Sequence, residues 1–176
     1  MSSLSSIVSA EVRKALANRC LTKATLAINA GSAATIKTTG ATIYSIDGVL
    51  YSKAALAAQS IAPTHDAFGN LVAAGVAAYV QPTATTVYYV ISLNSAGNVA
   101  VSQGSYAGQV QTFANDLSKI YTGTGAIPVE PAGYTAIGVI KVAPTSAATF
   151  TPGTTALDAA NVNATYFDVS MLPTTL

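Results

Sequence analysis

Apolar and polar positions alternate with a period of two along most of this chain. In IYSIDGVLYS, residues 43–52, two short apolar-rich runs flank Asp47-Gly48. Asp-Gly favours a two-residue type I′ turn, because both central residues must take positive φ. That turn pairs Ile46 with Val49, Tyr44 with Tyr51, Ile43 with Ser52 and Ser45 with Leu50. One face of the hairpin then carries Ile46, Val49, Tyr44 and Tyr51, and the other is mixed. The same rhythm of Thr or Ser with apolar residues marks TKATLAINAG and ATIKTTGATIYSI as half-buried strands. VAAYVQ and TTVYYVISL read as strands around Pro82, and NSAGN turns the chain into VAVSQGS. In TTVYYVISL, Val87, Tyr89, Ile91 and Leu93 share one face, and Tyr88, Val90 and Ser92 share the other. Both faces are largely apolar, which predicts a strand covered on both sides or lying at a subunit interface.

Two stretches depart from this rhythm. SSIVSAEVRKALANRC, residues 5–20, fits a short amphipathic helix with Ser9 as N-cap and Val12, Leu16 and Cys20 on one stripe. AGQVQTFANDLSKIY, residues 107–121, places Val110, Phe113, Leu117 and Ile120 at helical spacing. It predicts one amphipathic helix at about residues 108–120, packed on the sheet. SKAALAAQSIA reads either as helix, from its alanines, or as an extension of the hairpin strand. PTHDAFGN, residues 63–70, and TGTGAIPVEPAG, residues 122–133, are loops by composition. YTAIGVIKVA is a strand, and short strands with tight turns close the chain. The spacing predicts a mainly β fold, an antiparallel β-sandwich or jelly roll, with a short N-terminal helix and one packed helix. Residues 1–33 read as an N-terminal arm and 34–176 as the β-rich domain.

Composition narrows the function classes. Charged residues make up only 9% of the 176 residues, with a net charge of +1, against about 25% charged in ordinary domains. Such a surface is weakly protected against association. It carries no basic stripe, which argues against nucleic acid as a partner. The longest apolar run, residues 71–80, is half of the roughly 20 residues a spanning helix needs, so no membrane partner is expected. The N-terminus lacks the basic start and apolar core of a secretory signal. The expected place of synthesis is a cytoplasm. The single cysteine, Cys20, excludes an internal disulfide and reads as a small buried hydrophobe. The one charge asymmetry is N-terminal, where Arg13, Lys14, Arg19 and Lys23 cluster. They form either a solvated face or an arm that docks on an acidic partner.

Candidate chemistry is sparse. His65 is the sole histidine, and a Cys20–His65 nucleophile pair would need the two to meet in space. A Ser-His-Asp triad is arithmetically available, but no G-x-S-x-G elbow is present. The acids Glu11, Asp47, Asp66, Asp116, Glu130, Asp158 and Asp168 are scattered, with no metal-binding spacing and no local carboxylate pair. YTGTGAIP lacks the lysine of a phosphate loop. No catalytic, metal or cofactor residue is assigned. The nine tyrosines serve core and cross-strand packing, with a few, notably Tyr88 and Tyr106, as contact-surface candidates. The candidate interface set is Arg13, Lys14, Arg19, Tyr88 and Tyr106.

Four segments, taken in order, carry a resemblance. They are ATIYSIDGVLYSKAALA, TTVYYVISLNSAGNVAVSQG, IPVEPAGYTAIGVIKVA and ATFTPGTTALDAANVNATYFDVSMLP. The last is the most specific, with Phe150, Pro152, Gly153 and Thr154 followed by Asp158, Tyr166 and Leu172-Pro173. Over roughly residues 35–173 the chain resembles tailed-bacteriophage virion structural proteins. The resemblance implies a β-rich, non-enzymatic subunit, often trimeric. Such a subunit sits on the capsid as decoration or cement, or forms part of a head fibre. It implies the major capsid protein and further copies of the chain as partners, the virion surface as location, and no catalytic residues. Two other readings stand beside it: a head- or tail-fibre component recognising a host glycan, and a small hydrolase using His65 with a carboxylate.

Overall fold

The computed structural model describes residues 17–72, 80–113 and 116–170, and for 110–122 it gives the backbone pairing only. The chain is mainly β, and its strands pair antiparallel throughout. The described residues form twelve strands: β1 (Arg19–Cys20), β2 (Ala27–Ile28), β3 (Thr35–Lys37), β4 (Thr42–Ile46), β5 (Val49–Lys53), β6 (Gln59–Ser60), β7 (Val87–Asn94), β8 (Val99–Gln103), β9 (Val110–Phe113), β10 (Asp116–Thr122), β11 (Tyr134–Pro144) and β12 (Val162–Asp168). They make a four-stranded sheet in the order β12-β11-β7-β8, two three-stranded sheets, β1-β4-β5 and β2-β3-β6, and the ribbon β10-β9.

The hairpin register is the one the Asp-Gly turn dictates. Ile46 pairs with Val49, Ser45 with Leu50, Tyr44 with Tyr51 and Ile43 with Ser52. Asp47 and Gly48 both have positive φ, 49° and 78°, as a type I′ turn requires. Tyr44 and Tyr51 stack with ring centroids 5.8 Å apart. The hairpin is then tied to the four-stranded sheet. The Tyr44 hydroxyl donates to Asn94 O at 2.7 Å, Thr135 Oγ1 donates to Ser45 O at 2.6 Å, and Asn18 bridges Asp47 N–H to Tyr134 O.

Strand β7 is buried on both faces. Val87, Tyr89, Ile91 and Leu93 enter the main core, with Cys20, Leu26, Ile36, Tyr44, Ile46, Leu56 and Ile61 from the two small sheets and their connections. Val90 joins Ala136 and Val139 in a second cluster, packed by Tyr88, Ile127, Phe167 and Val169. Segment 123–131 therefore helps to cover the second face, through Ile127. Gly104 permits this approach, since a Cβ there would lie 2.9 Å from Tyr88 O and 3.2 Å from Ala126 O. A bulge in β11 between Ala136 and Gly138 inserts Ile137, which is fully buried in the main core. At Gly138 the missing side chain leaves room for Leu26, whose Cδ2 would lie 2.9 Å from an added Cβ.

The helix expected at about residues 108–120 is not formed. β9 and β10 pair there instead, with Val110 opposite Thr122 and Thr112 opposite Ile120. The β-branched residues at these paired positions favour a pleated strand. Gly108 and Gln109 close the stem through bonds to Gly123. The i, i+3 apolar spacing was a coincidence of two short strands. Of the helix expected at residues 5–20, Arg19–Cys20 are strand and residues 5–16 lie outside the described residues. No helix occurs among the described residues. Within segment 1–33, β1, β2, Ala24 and Leu26 belong to the packed sheets.

One buried polar chain secures the segment before β7. Gln81 Nε2 donates to Thr85 O at 3.0 Å and to Val142 O at 2.9 Å, while the Tyr89 hydroxyl donates to Gln81 Oε1 and accepts from Gln103 Nε2, each at 3.4 Å. Burial pushes the Tyr89 phenol well above its usual pKa, so it stays a donor. By contrast, Ser92 Oγ and Ser102 Oγ are buried with no hydrogen-bond partner among the described residues. Gln81→Ala, which orphans two carbonyls, is expected to cost about 2–4 kcal/mol in urea unfolding, whereas Ser92→Ala is expected to be neutral or to stabilise by about 1 kcal/mol. The reverse ranking would contradict this assignment of the core's polar groups.

Candidate functional site

The expected interface residues fall in different places. Arg13 and Lys14 lie outside the described residues. Arg19 sits in β1 opposite Ser45, on the outer face of the β1-β4-β5 sheet. Pairing puts Leu50 in the same row, and Leu21, bonded through its N–H to Ile43 O, in the next. Leu21, Ile43 and Leu50 are 45%, 41% and 59% exposed. Apolar side chains are thus exposed on this face beside the half-buried Arg19, while Ser45, between Arg19 and Leu50, is fully buried.

Tyr88 and Tyr106 are brought together elsewhere. They line one cleft of about 450 Å³ with Thr85, Thr86, Thr124 and Lys141. Tyr88 and Lys141 are register partners on β7 and β11. Gly104 N–H bonds Tyr88 O at 2.8 Å, which holds the Tyr106 segment alongside β7. The sequence singled out both tyrosines but not Lys141, because only the register of two strands some fifty positions apart places it there.

His65 and Cys20 are held by separate elements. His65 is buried against β8, its ring edge-on to Tyr134 and its Nδ1 2.9 Å from Thr64 Oγ1. Burial lowers its pKa, with Asp66 acting weakly the other way, so the neutral ring is favoured. The Asp66 carboxylate is turned to its own loop, where it accepts from Phe68 N, Asn70 N and Asn70 Nδ2. Cys20 points into the main core and donates to Thr22 O at 2.9 Å. Burial raises its pKa, which keeps it a thiol rather than a nucleophilic thiolate.

Three further acids also bind main-chain N–H groups. Asp158 accepts from Ser32 N through both oxygens at 2.9 Å, and Asp168 accepts from Leu26 N at 3.0 Å. Glu130 Oε2 accepts at 2.9 Å from Ala136 N, at the β11 bulge. The Asp158 charge and, above all, burial push the Tyr166 phenol up to about 12. Among the described residues no group of three or more His, Cys, Asp or Glu could hold a metal ion, and no helix is long and apolar enough to cross a membrane. No protein-family model, curated protein or solved structure matches this chain.

Glu130 gives a pH test. Burial raises its pKa above the ordinary 4.5, against the lowering effect of the Ala136 bond. A raised folded pKa adds stability below the unfolded pKa, and that contribution is lost as pH rises through the folded value. Glu130→Gln keeps an acceptor for Ala136 N–H and removes the charge. From about pH 4 to about pH 7, the urea midpoint of the parent is expected to fall relative to that of the variant. Identical pH profiles would contradict the placement of the carboxylate.

Proposed function

We propose that this chain is a non-enzymatic structural subunit of a tailed-bacteriophage virion, a capsid decoration or cement protein. In this reading it binds the assembled shell through the major capsid protein and is a homotrimer. Its location is the capsid surface, after synthesis in the host cytoplasm. The observation that carries the reading is the outer face of the β1-β4-β5 sheet, where Leu21, Ile43 and Leu50 are exposed beside Arg19. An apolar face on a chain with only 9% charged residues marks a contact surface. The resemblance of residues 35–173 to phage virion proteins supports the same reading, as does a β-sandwich-like packing of the small sheets on the four-stranded one.

A cement protein stabilises a shell because it binds the assembled state and not the separated parts. That task needs area and complementary shape rather than a reactive group. Closed trimers on threefold or quasi-threefold axes would repeat one interface without open-ended growth.

The test is co-sedimentation with purified empty shells of its own virus, set against unassembled capsid protein. Binding to shells alone is expected. Leu50→Lys is expected to weaken it about tenfold or more, since one buried leucine is worth about 1.5–3 kcal/mol. It should leave folding intact, because Leu50 is exposed on an edge strand, where lysine is well tolerated. A parent chain that ignores shells overturns the function, and undiminished binding by Leu50→Lys overturns the assigned face.

A further inference from the structure

The cleft between Tyr88 and Tyr106 lies apart from the apolar face just described, and its chemistry is different. Four of its polar groups have no protein partner among the described residues: the Tyr88 and Tyr106 hydroxyls, the Thr86 hydroxyl and the Lys141 ammonium. All four residues are half-buried and line the same recess. Thr85 Oγ1 donates its hydrogen to Pro82 O and keeps its lone pairs, while Thr124 Oγ1 accepts from Ala126 N and keeps its hydrogen. The recess thus offers donors and acceptors of hydroxyl type beside two aromatic rings.

Its walls are fixed before any ligand arrives. Tyr88 and Lys141 stand on paired strands, Ala84 N–H is bonded to Thr145 O, and Gly123 is bonded to Gly108 and Gln109. A Cβ on Gly123 would collide with Tyr106 O, so the chain passes there only as bare backbone. The volume of about 450 Å³ falls in the range of about 300–1,000 Å³ found for small-molecule sites. Among the described residues no carboxylate lines the cleft, so none of them compensates the Lys141 charge there.

We propose that this cleft binds an acidic saccharide. A pyranose ring has an apolar face that packs on a phenol ring, and hydroxyls that exchange bonds with Thr86, Thr124 and the tyrosine hydroxyls. Its carboxylate pairs with Lys141.

The test is saturation-transfer NMR on the full chain with three probes: sialyllactose, trigalacturonate and uncharged lactose. Transfer to at least one acidic sugar, stronger than to lactose, is expected. Lys141→Met should abolish that preference. Tyr88→Ala should cut the signal at least tenfold, and Thr86→Val, which keeps the side-chain shape, should weaken it. The proposal is overturned if no probe receives transfer. It is equally overturned if transfer is unchanged in Lys141→Met and Thr86→Val. Shell co-sedimentation of the same preparations reads the structural function separately, so either conclusion can fail alone.

Discussion

Strand β7 and its partner β11 are apolar on both faces, and the rest of the molecule is arranged to cover them. A sheet in that state cannot present either face to water, so each must find a lid. On one side, the small sheets contribute Leu26, Ile36, Tyr44, Ile46 and Ile61 to a core shared with Tyr89, Ile91 and Ile140. On the other, Ile127 and Phe167 close over Val90 and Val139. The β11 bulge adjusts the fit. It adds Ile137 to the core and leaves Gly138 as a slot for Leu26.

Charges are few, and three carboxylates tie segments together. Asp168 and Asp158 reach Leu26 and Ser32 across 142 and 126 positions of sequence, and Glu130 caps the bulge. Charged acceptors make stronger bonds to main-chain N–H than neutral ones. Each therefore ties a segment in place. Among the described residues, exposed apolar side chains of the β1-β4-β5 sheet and a recess lined by hydroxyls and phenols remain.

Local rules made part of this legible. The Asp47-Gly48 turn fixed the register of β4 and β5, because a two-residue loop leaves a hairpin no freedom to slip. The two apolar faces of TTVYYVISL predicted a strand covered on both sides or at a subunit interface, and β7 is covered on both sides within the chain. Residues 107–121 misled because Val110, Phe113, Leu117 and Ile120 satisfy a helical period, while the pairing of Val110 with Thr122 depends on a partner twelve positions away. The cleft shows the same limit. Tyr88 and Tyr106 stood out by type, but Lys141 joins them only through β7–β11 pairing. The carboxylate ties were equally invisible, since nothing near Asp168 in sequence points to Leu26.

The proposed function makes this chain a symmetric contact protein. The most direct measurement of it is absolute mass in solution, by light scattering on a sizing column. The account predicts one species near three times 17.7 kDa. A well-behaved species at 17.7 kDa itself, unchanged with concentration, would contradict it.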